Sequence, residues 1–399
     1  MEILRELVAI ATPSSLSNMP LLHWVAAFVE RLGWRAELLP YEDERGVAKA
    51  NLIAWPHAEE RDSHFDLVFV CHTDTVPFAA DWAEALTLEE RDGQLHGCGS
   101  CDVKGAMACF LAAAAENAET HLSHNRPDNE DLLPGTPGKN DVAKVGHPDS
   151  GYSIGLILTA DEEVGCKGME RLLTATQLSI GSAIVSEPTS LRAGIAGKGY
   201  GLARITVDGR EAHSAFPRQG VSAISIAARL IVRIEDFFSK KGTRGTEDVL
   251  FDPPRTTLNI GVIEGGTAKN IVPGRCTFLV EWRAIPGEAP THVLEQLRGL
   301  IDEAQAAAPD AVIQLDGLRA EAGFSPAVQG DLQRRLVSLL PGEPMGISFG
   351  SEASRLARIA DEVIVIGPGD MRTAHSDREC VPVAELEAWT GVLAALLRG

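Results

Sequence analysis

The sequence predicts an α/β protein built on a mostly parallel sheet and interrupted by a smaller α+β domain. Three observations lead to this prediction. Apolar strand-like runs alternate with helical patterns in the first half of the chain, runs of period two replace them in the middle, and the alternation returns near the C-terminus. Alternating strands and helices are typical of parallel sheets covered by helices, whereas period two indicates half-exposed antiparallel strands.

The first half of the chain supplies most of the predicted parallel sheet. Short apolar runs predict buried strands at 51–55, 67–76, 154–161 and 183–189. Apolar residues at helical spacing predict helices at 20–33 and 104–118, and the first residues read as a short amphipathic helix. Residues 119–151 are rich in Asn, Asp, Pro and Gly without a sustained period, so we expect a surface insertion there.

The middle of the chain has a different pattern. Period-two runs predict strands at 203–209, 256–266 and 275–284, with helices at 221–239 and 290–307. Further on, the sequence predicts a helix at 328–340, a strand at 362–369 and a last helix at 384–398. We therefore assign residues 1–190 and 323–399 to one discontinuous domain and residues 191–322 to an inserted domain.

Composition excludes several classes of partner. The 399 residues are 45% hydrophobic and carry a formal net charge of −20, which argues against binding nucleic acid or anionic lipid. No apolar run approaches the ~20 residues needed to cross a bilayer. The N-terminus has neither a basic region nor a small-residue cleavage site, and the seven scattered cysteines fit reduced thiols, so we expect a cytoplasmic protein.

Acids and histidines follow the predicted strands at the point where each strand ends. These residues are His72, Asp74, Glu162, Glu163, Glu187 and His375, and Asp102 lies where a loop enters a helix. Ligands of open α/β sheets gather at the carboxyl ends of the strands. Two imidazoles and several carboxylates suit zinc or a similar divalent ion. The sequence therefore predicts a metal site at one edge of the sheet.

Clustered acids at the end of a buried strand are costly unless a cation is near. A pair of divalent ions makes them favourable, and one carboxylate would have to bridge the two ions. Successive residues of an extended chain point in opposite directions, so Glu162 and Glu163 can act differently. One can ligate a metal while the other stays free as a general base.

Seven motifs together resemble the M20 family of co-catalytic zinc peptidases and deacylases. They are "VFVCHTDTVP", "GCGSCDVKGA", "TADEEVGCKG", "VSEPT", "GREAHSAFP", "NIGVIEGGTAKNIVP" and "GPGDMRTAHSDRECV", in the family's order. The resemblance covers nearly the whole chain except 119–151. Within the family, "KGYG", "GSEAS" and "GPGDMRTAH" are most similar to acetylornithine and acetylcitrulline deacetylases.

The resemblance implies a role for each acid and histidine of the predicted site. His72 and Glu187 would bind one metal ion, Glu163 and His375 the other, and Asp102 would bridge them. The ions would be Zn²⁺ or Co²⁺. The Asp74 carboxylate would hydrogen-bond the far nitrogen of His72, and Glu162 would move the proton from the attacking water to the leaving amine.

The resemblance also implies that the inserted domain is a lid that forms a homodimer. His213 would reach the partner's active site and stabilise the oxyanion, while Asn270 and Arg283 would hold polar groups of the substrate. Arg283 projects from the 275–284 strand away from the apolar face of Phe278, Val280 and Trp282, as a carboxylate clamp requires. A plain salt bridge of Arg283, or Arg275 in its place, remains an alternative.

The "GSEAS" segment resembles a family loop near the substrate carboxylate. Gly350 and Ser351 would bind that carboxylate, and Glu352 would face a cationic ornithine side chain or a substrate amine.

The predicted activity is hydrolysis of the amide bond of an N-acyl amino acid, first of all N-acetylornithine in arginine biosynthesis. N-acetylcitrulline, succinyl-diaminopimelate and dipeptides are the alternatives within the family. Outside it, "GISFG" matches a nucleophile elbow around Ser348, which leaves a serine hydrolase as a distant alternative. A non-catalytic dimeric binding module would require a lost ligand or base, and the sequence lacks none.

Overall fold

The computed structural model describes residues 1–56, 64–79, 81–124, 153–240, 247–340 and 342–398. Its helices are α1 (Glu2–Ala9), α2 (Met19–Arg31), α3 (Lys104–His124), α4 (Lys167–Ala175), α5 (Ala223–Lys240), α6 (His292–Ala307), α7 (Asp331–Leu339), α8 (Ala353–Leu356) and α9 (Val383–Leu397). The helix predicted at 104–118 thus continues to His124. The rest of the expected 119–151 insertion, residues 125–151, lies outside the described residues.

The strands of the described chain are β1 (Trp34–Glu42), β2 (Ala48–Pro56), β3 (His64–His72), β4 (Glu89–Arg91), β5 (Gln94–His96), β6 (Ile154–Thr159), β7 (Ser179–Val185), β8 (Gly194–Gly197), β9 (Tyr200–Asp208), β10 (Ala212–His213), β11 (Thr257–Gly265), β12 (Ile271–Val272), β13 (Arg275–Arg283), β14 (Val312–Glu321), β15 (Met345–Ile347), β16 (Ala360–Val365) and β17 (Cys380–Pro382). Among the described residues, no helix is both long and apolar enough to cross a membrane.

The chain divides into two compact units. Unit 1 comprises Met1–Ile195, Pro326–Pro344 and Ser351–Gly399, and unit 2 comprises Ala196–Ser325 and Met345–Gly350. Residues 345–350, which the sequence analysis assigned to the discontinuous domain, belong to unit 2. The chain passes from unit 2 to unit 1 between Gly350 and Ser351, inside the "GSEAS" segment.

Unit 1 is organised around a mixed sheet whose centre is parallel. Its strands lie in the order β1-β2-β6-β3-β7-β16-β8. β6, β3, β7 and β16 are parallel to one another. At the two edges the pairs β1–β2, β2–β6 and β16–β8 are antiparallel. Every residue of β6 is buried, because the strand is central and apolar. The predicted α/β class with a mostly parallel sheet is confirmed.

Aromatic and helical packing fixes this sheet in unit 1. The Phe110 ring of α3 stacks on Phe69 of β3 with ring centroids 4.7 Å apart, and Trp34 meets Phe110 edge-on. Helix α3 packs against α1 and α9, and α2 packs against β1 and β2. The loop before α3 and the end of β3 are therefore parts of one packed framework.

Unit 2 is an α+β layer structure. Its antiparallel sheet has the order β11-β13-β9-β14, and α5 and α6 pack against it. Phe278, Val280 and Trp282 of β13 are almost fully buried in the core of this unit, as their shared face predicts. Arg275, Leu279 and Arg283 alternate with them and keep exposed surface.

Candidate active site

The strand ends of unit 1 bring the predicted ligands to one edge of the sheet. His72 is the last residue of β3, Glu162 and Glu163 follow β6, and Glu187 follows β7. These three strands are parallel neighbours, so their carboxyl ends lie side by side. The adjacency that the sequence predicts is therefore present.

Asp102 lies between two histidines. His72 Nε2 is 3.2 Å from Asp102 Oδ1, and His375 Nε2 is 3.0 Å from Asp102 Oδ2. The same His375 nitrogen is 3.1 Å from Glu163 Oε1. One carboxylate thus presents each of its oxygens to a different imidazole, which is the arrangement a bridging ligand requires.

The electrostatics of this cluster match a site for cations. Burial acts to lower the pKa of His72, but the Asp102 carboxylate raises it well above its ordinary value. Burial raises the pKa of Glu187, and the nearby Asp102 and Glu162 charges raise it further. The pKa of His375 rises to about 10 because its ring bonds Asp102 and Glu163. Without a metal ion, the cluster therefore favours bound protons. Divalent cations would neutralise the same carboxylates.

The donor set fits one or more divalent metal ions. Ligand atoms of His72, Asp102 and Glu163 all lie within 4.8 Å of one another. Glu187 is buried and close enough to this group for its pKa to respond to Asp102. Imidazole nitrogen and carboxylate oxygen together suit zinc and cobalt.

The orientation of His72 differs from the prediction. Its Nδ1 donates to the backbone carbonyl of Asp74 at 2.9 Å, while the Asp74 carboxylate oxygen is 3.9 Å away. A carbonyl can only accept a hydrogen bond, so Nδ1 carries a proton and Nε2 is the ring nitrogen that faces Asp102. The backbone carbonyl of Asp74, and not its side chain, orients the His72 ring.

The Asp74 carboxylate instead holds the turn that carries the two glutamates. Its Oδ1 accepts the Glu162 N–H at 3.0 Å, and its Oδ2 accepts the Glu163 N–H at 3.3 Å. The Ser14 hydroxyl donates to the same Oδ2 at 2.7 Å. Because Asp74 lies two residues after His72, its carbonyl contacts the His72 ring while its side chain contacts the turn after β6.

A buried ion pair supports the same turn from the other side. Asp161, which precedes Glu162, has a φ of 58° in the left-handed region, where a non-glycine residue is strained. Lys49 Nζ is 3.0 Å from its Oδ1, and both side chains are almost fully buried. The Tyr41 hydroxyl donates to Asp161 Oδ2 at 2.9 Å. These contacts hold the backbone in a conformation that it would otherwise leave.

The predicted base Glu162 is half-buried and bonded to neither histidine in the described structure. The Cys166 thiol donates to its Oε1 at 3.3 Å. Burial raises the pKa of Glu162, and the Glu163 and Glu352 carboxylates add to the effect. A carboxylate with a raised pKa is suited to accept and release a proton near neutral pH.

Ser351 and Glu352 lie buried in unit 1. Burial raises the pKa of Glu352 to about 7, while a hydrogen bond with Thr159 and the charge of His72 lower it. The Glu352 side chain is therefore near the strand end of β6 and electrostatically coupled to the His72 side of the site. Ser351 Oγ accepts the Ala353 N–H at 3.4 Å at the start of α8.

The other predicted residues belong to unit 2. His213 is exposed, and its Nδ1 accepts the Ala215 N–H at 3.1 Å. The Ser214 N–H donates to the backbone carbonyl of Asn270 at 2.9 Å, so His213 and Asn270 lie on neighbouring segments. Their assignment to substrate and oxyanion binding stays a prediction.

Arg283 is held in an ion pair. Its Nε donates to Glu281 Oε1 at 2.8 Å, and its guanidinium lies 4.6 Å from the Tyr200 ring centroid. The plain salt bridge that the sequence left open is thus present, and Arg275 forms its own pair with Asp208 at 3.7 Å. A Cβ added to Gly350 would lie 3.3 Å from Arg283 Nη1, so the loop passes close to this side chain.

The segment around Ser348 lacks the form of a nucleophile elbow. The three-residue strand β15 ends at Ile347, and the following helix α8 begins at Ala353. An elbow requires the serine on a sharp turn directly between strand and helix.

Glu379 is a buried residue of this region that the sequence did not identify. Its carboxylate accepts the backbone N–H groups of Gly99, Cys101 and Asp102, each at 3.0 Å. The sequence analysis missed Glu379 because a single glutamate in a polar loop gives no indication that it is buried. The one available signal was its position, four residues after the predicted ligand His375. Lys49 and Ser14 were missed because lysine and serine likewise give no indication in the sequence that they are buried.

Comparisons with known proteins agree with the geometry. Residues 68–128 match the model of peptidase family M20/M25/M40, and residues 195–309 match a peptidase dimerisation domain. The chain is 38% identical to an acetylornithine deacetylase of Myxococcus xanthus, over 98% of this chain and 94% of that protein. It is 30% identical to one from Klebsiella pneumoniae (strain 342), over 95% of this chain and 91% of that protein.

Solved structures show the same fold. A tripeptidase from Staphylococcus aureus superposes with a TM-score of 0.73 at 19% identity, covering 100% of this chain and 96% of that one. A dinuclear metal-binding M20 peptidase from Bacillus subtilis superposes with a TM-score of 0.63 at 12% identity, covering 99% of this chain and 96% of that one.

Proposed function

The chain belongs to the M20 peptidase family, and from this premise we propose that it is a metal-dependent deacetylase of N-acyl amino acids with N-acetylornithine as its main substrate. The observation that carries the proposal is the Asp102 carboxylate, whose two oxygens each face a different histidine. The products would be ornithine and acetate, and the reaction would then be a step of arginine biosynthesis.

Two divalent ions, Zn²⁺ or Co²⁺, would be held by five residues of unit 1. His72 and Glu187 would ligate one ion and Glu163 and His375 the other, with Asp102 shared. When bound, such ions polarise the substrate carbonyl and lower the pKa of water. Because His72 Nδ1 donates to the Asp74 carbonyl, Nε2, which faces Asp102, is the nitrogen that would ligate the ion.

Glu162 would serve as the general base and then as the general acid. It would take a proton from the attacking water as the oxygen bonds to the acyl carbon. It would give that proton to the nitrogen as the C–N bond breaks, and the second proton of the water would then pass to the amine, so that a carboxylate and an ammonium ion leave. The Asp74 carboxylate supports this role by fixing the Glu162 backbone N–H.

Substrate selection would use the residues that the family resemblance assigns to it. We assign the α-carboxylate of the substrate to Gly350, Ser351 and Arg283, and its other polar groups to Asn270. His213 would donate to the oxyanion, supplied across a homodimer for which the matched dimerisation domain is the supporting observation. Glu352 would face the ornithine ammonium, because it is a buried carboxylate coupled to the site.

The experiment is a kinetic panel on metal-reconstituted protein. N-acetylornithine, N-acetylcitrulline, N-succinyl-diaminopimelate, N-acetylmethionine and a few dipeptides are compared by kcat/KM. We expect N-acetylornithine to lead, a strong chelator to abolish activity and a fluorophosphonate to leave it unchanged. Dipeptides ahead by a wide margin would overturn the deacetylase assignment, and inhibition by the fluorophosphonate alone would favour Ser348.

Two variants test the assigned roles within that panel. Glu162→Gln should lower kcat by about 100-fold or more, since general acid–base catalysis contributes 10²–10⁴-fold, with metal content unchanged. Glu352→Gln should reduce activity on N-acetylornithine more than on N-acetylmethionine. Equal losses on the two substrates would remove Glu352 from substrate recognition.

A further inference from the structure

The Glu379 side chain is buried against the loop that leads into α3. It is 3% exposed, and its Oε1 accepts N–H groups from Cys101 and Asp102 while its Oε2 accepts that of Gly99. Hydrogen bonds from backbone N–H to an ionised carboxylate are about twice as strong as neutral ones. One side chain therefore fixes most of the backbone of this loop.

The loop depends on this acceptor. Residues 98–103 are all buried, so water is not available to their N–H groups. Leaving a buried donor unsatisfied costs about 1–3 kcal/mol. Gly99 has a φ of 78°, and the Lys104 N–H bonds its carbonyl, so the backbone is bent here before the helix begins. The bend turns three N–H groups toward Glu379.

Glu379 also lies on the segment that carries His375, four residues further along. Its bonds therefore join the segment of one predicted ligand to the loop of another. The same two segments touch again where the Cys101 thiol meets the Asp370 carbonyl at 3.7 Å. A Cβ added to Gly369 would lie 2.4 Å from Cys101 Sγ, so the backbone there is in close contact with the loop.

We propose that Glu379 is a positioning residue that sets the orientation of the Asp102 carboxylate between His72 and His375. Its removal would free the Asp102 backbone to rotate away from His375, which is loop-borne and half-exposed. The ion on the His375 side would then bind more weakly. This inference rests on the proposed metal site, and it adds a residue that ligates no metal itself.

Glu362 provides a matched control in the same unit. It is a buried glutamate whose carboxylate accepts the N–H groups of Leu332 at 2.9 Å and Gln333 at 2.8 Å, at the start of α7. Substitution of Glu362 removes the same kind of hydrogen bond from the same fold. It leaves the loops of the predicted ligands untouched.

The experiment compares wild type, Glu379→Gln, Glu379→Asp and Glu362→Gln. Each protein is stripped of metal, checked by thermal unfolding, and titrated with Co²⁺ against a chromophoric chelator while the visible absorption is recorded. We expect both Gln variants to lose thermal stability. Glu379→Gln should also bind one Co²⁺ about 10-fold more weakly and alter the Co²⁺ spectrum, as loss of partners that orient ligands does.

The outcomes separate a positioning role from a structural one. Glu362→Gln should keep the wild-type affinity and spectrum. If Glu379→Gln fails to fold, Glu379→Asp retains a carboxyl group with a shorter reach and should show the weaker affinity instead. If a folded Glu379 variant keeps the wild-type Co²⁺ affinity and spectrum, the positioning role of Glu379 is overturned while the proposed metal site stands. A wild-type protein that takes up no Co²⁺ would overturn the proposed metal site as well.

Discussion

The two sides of the Asp102 carboxylate are built differently. On one side, His72 ends a central strand, is 3% exposed and is fixed by a backbone carbonyl two residues away. On the other, His375 comes from a loop, its side chain is 48% exposed, and its φ of 60° is in the left-handed region. The first side is held by the sheet and the second by contacts between loops.

This difference bears on the proposed metal site. A buried, preorganised ligand set binds a cation with little loss of conformational entropy, whereas an exposed loop must be ordered first. We therefore expect the ion on the His72 side to bind more tightly and the ion on the His375 side to exchange more readily.

The largest effect is expected from removing the proposed ligands His72 and His375. His72→Ala should abolish tight metal binding and lower kcat/KM by about 1000-fold, because it leaves buried carboxylates without their cation. His375→Ala should keep one tightly bound ion. Metal content measured after dialysis distinguishes the two variants, and thermal unfolding of the metal-free proteins controls for folding. Equal loss of both ions in both variants would contradict the comparison.

A smaller effect is expected from Asp74→Asn. The carboxylate holds the Glu162 and Glu163 N–H groups, so the variant should lower kcat by about 10–100-fold and weaken the His375-side ion. Because the Asp74 carbonyl still orients His72, the tight ion should remain. Loss of that tight ion in a Co²⁺ titration would instead support the carboxylate contact to His72 that the sequence predicted.

The smallest effect is expected in the pH dependence of the metal-free protein. Burial raises the pKa of Glu352 from 4.5 to about 7, so the folded chain keeps a proton that the unfolded chain releases. The stability this gives is complete below the unfolded pKa and is lost as the pH rises through the folded one, with a slope of about 1.4 kcal/mol per pH unit between them. Urea unfolding at about pH 5, 6 and 7 should show a smaller slope for Glu352→Gln. Equal slopes would contradict this prediction.

Sequence patterns predicted those elements of the fold whose periodicity was strong. β3 and β6 are apolar runs, and α5 and α6 have clear helical spacing, so their positions agree with expectation. β7 (Ser179–Val185) is also present, but it begins and ends four residues before the predicted range 183–189. β1 was missed because "WRAELLPYE" lies at an edge and mixes charged residues with a proline. Helix α4 was missed because it is short and follows Cys166 in a left-handed conformation.

The candidate site shows the same division. Metal-type residues at strand ends were identifiable, since ligation restricts residue type. The partners that hold them were not, because any buried acceptor can satisfy a backbone N–H. Asp74 was predicted to contact His72 through its carboxylate, which instead accepts the Glu162 and Glu163 N–H groups. Lys49 and Asp161 are distant in the sequence, and only the folded sheet brings them together.

The sequence by itself determined the class of the fold and the chemical nature of the site, because hydrophobic period and ligand chemistry both act through residue type. Only the tertiary structure decided which atoms meet. Glu379 and Asp102 are 277 positions apart, and the bond between them depends on the packing of a C-terminal loop against the start of a helix. Such contacts are set by the path of the whole backbone, which local residue preferences do not encode.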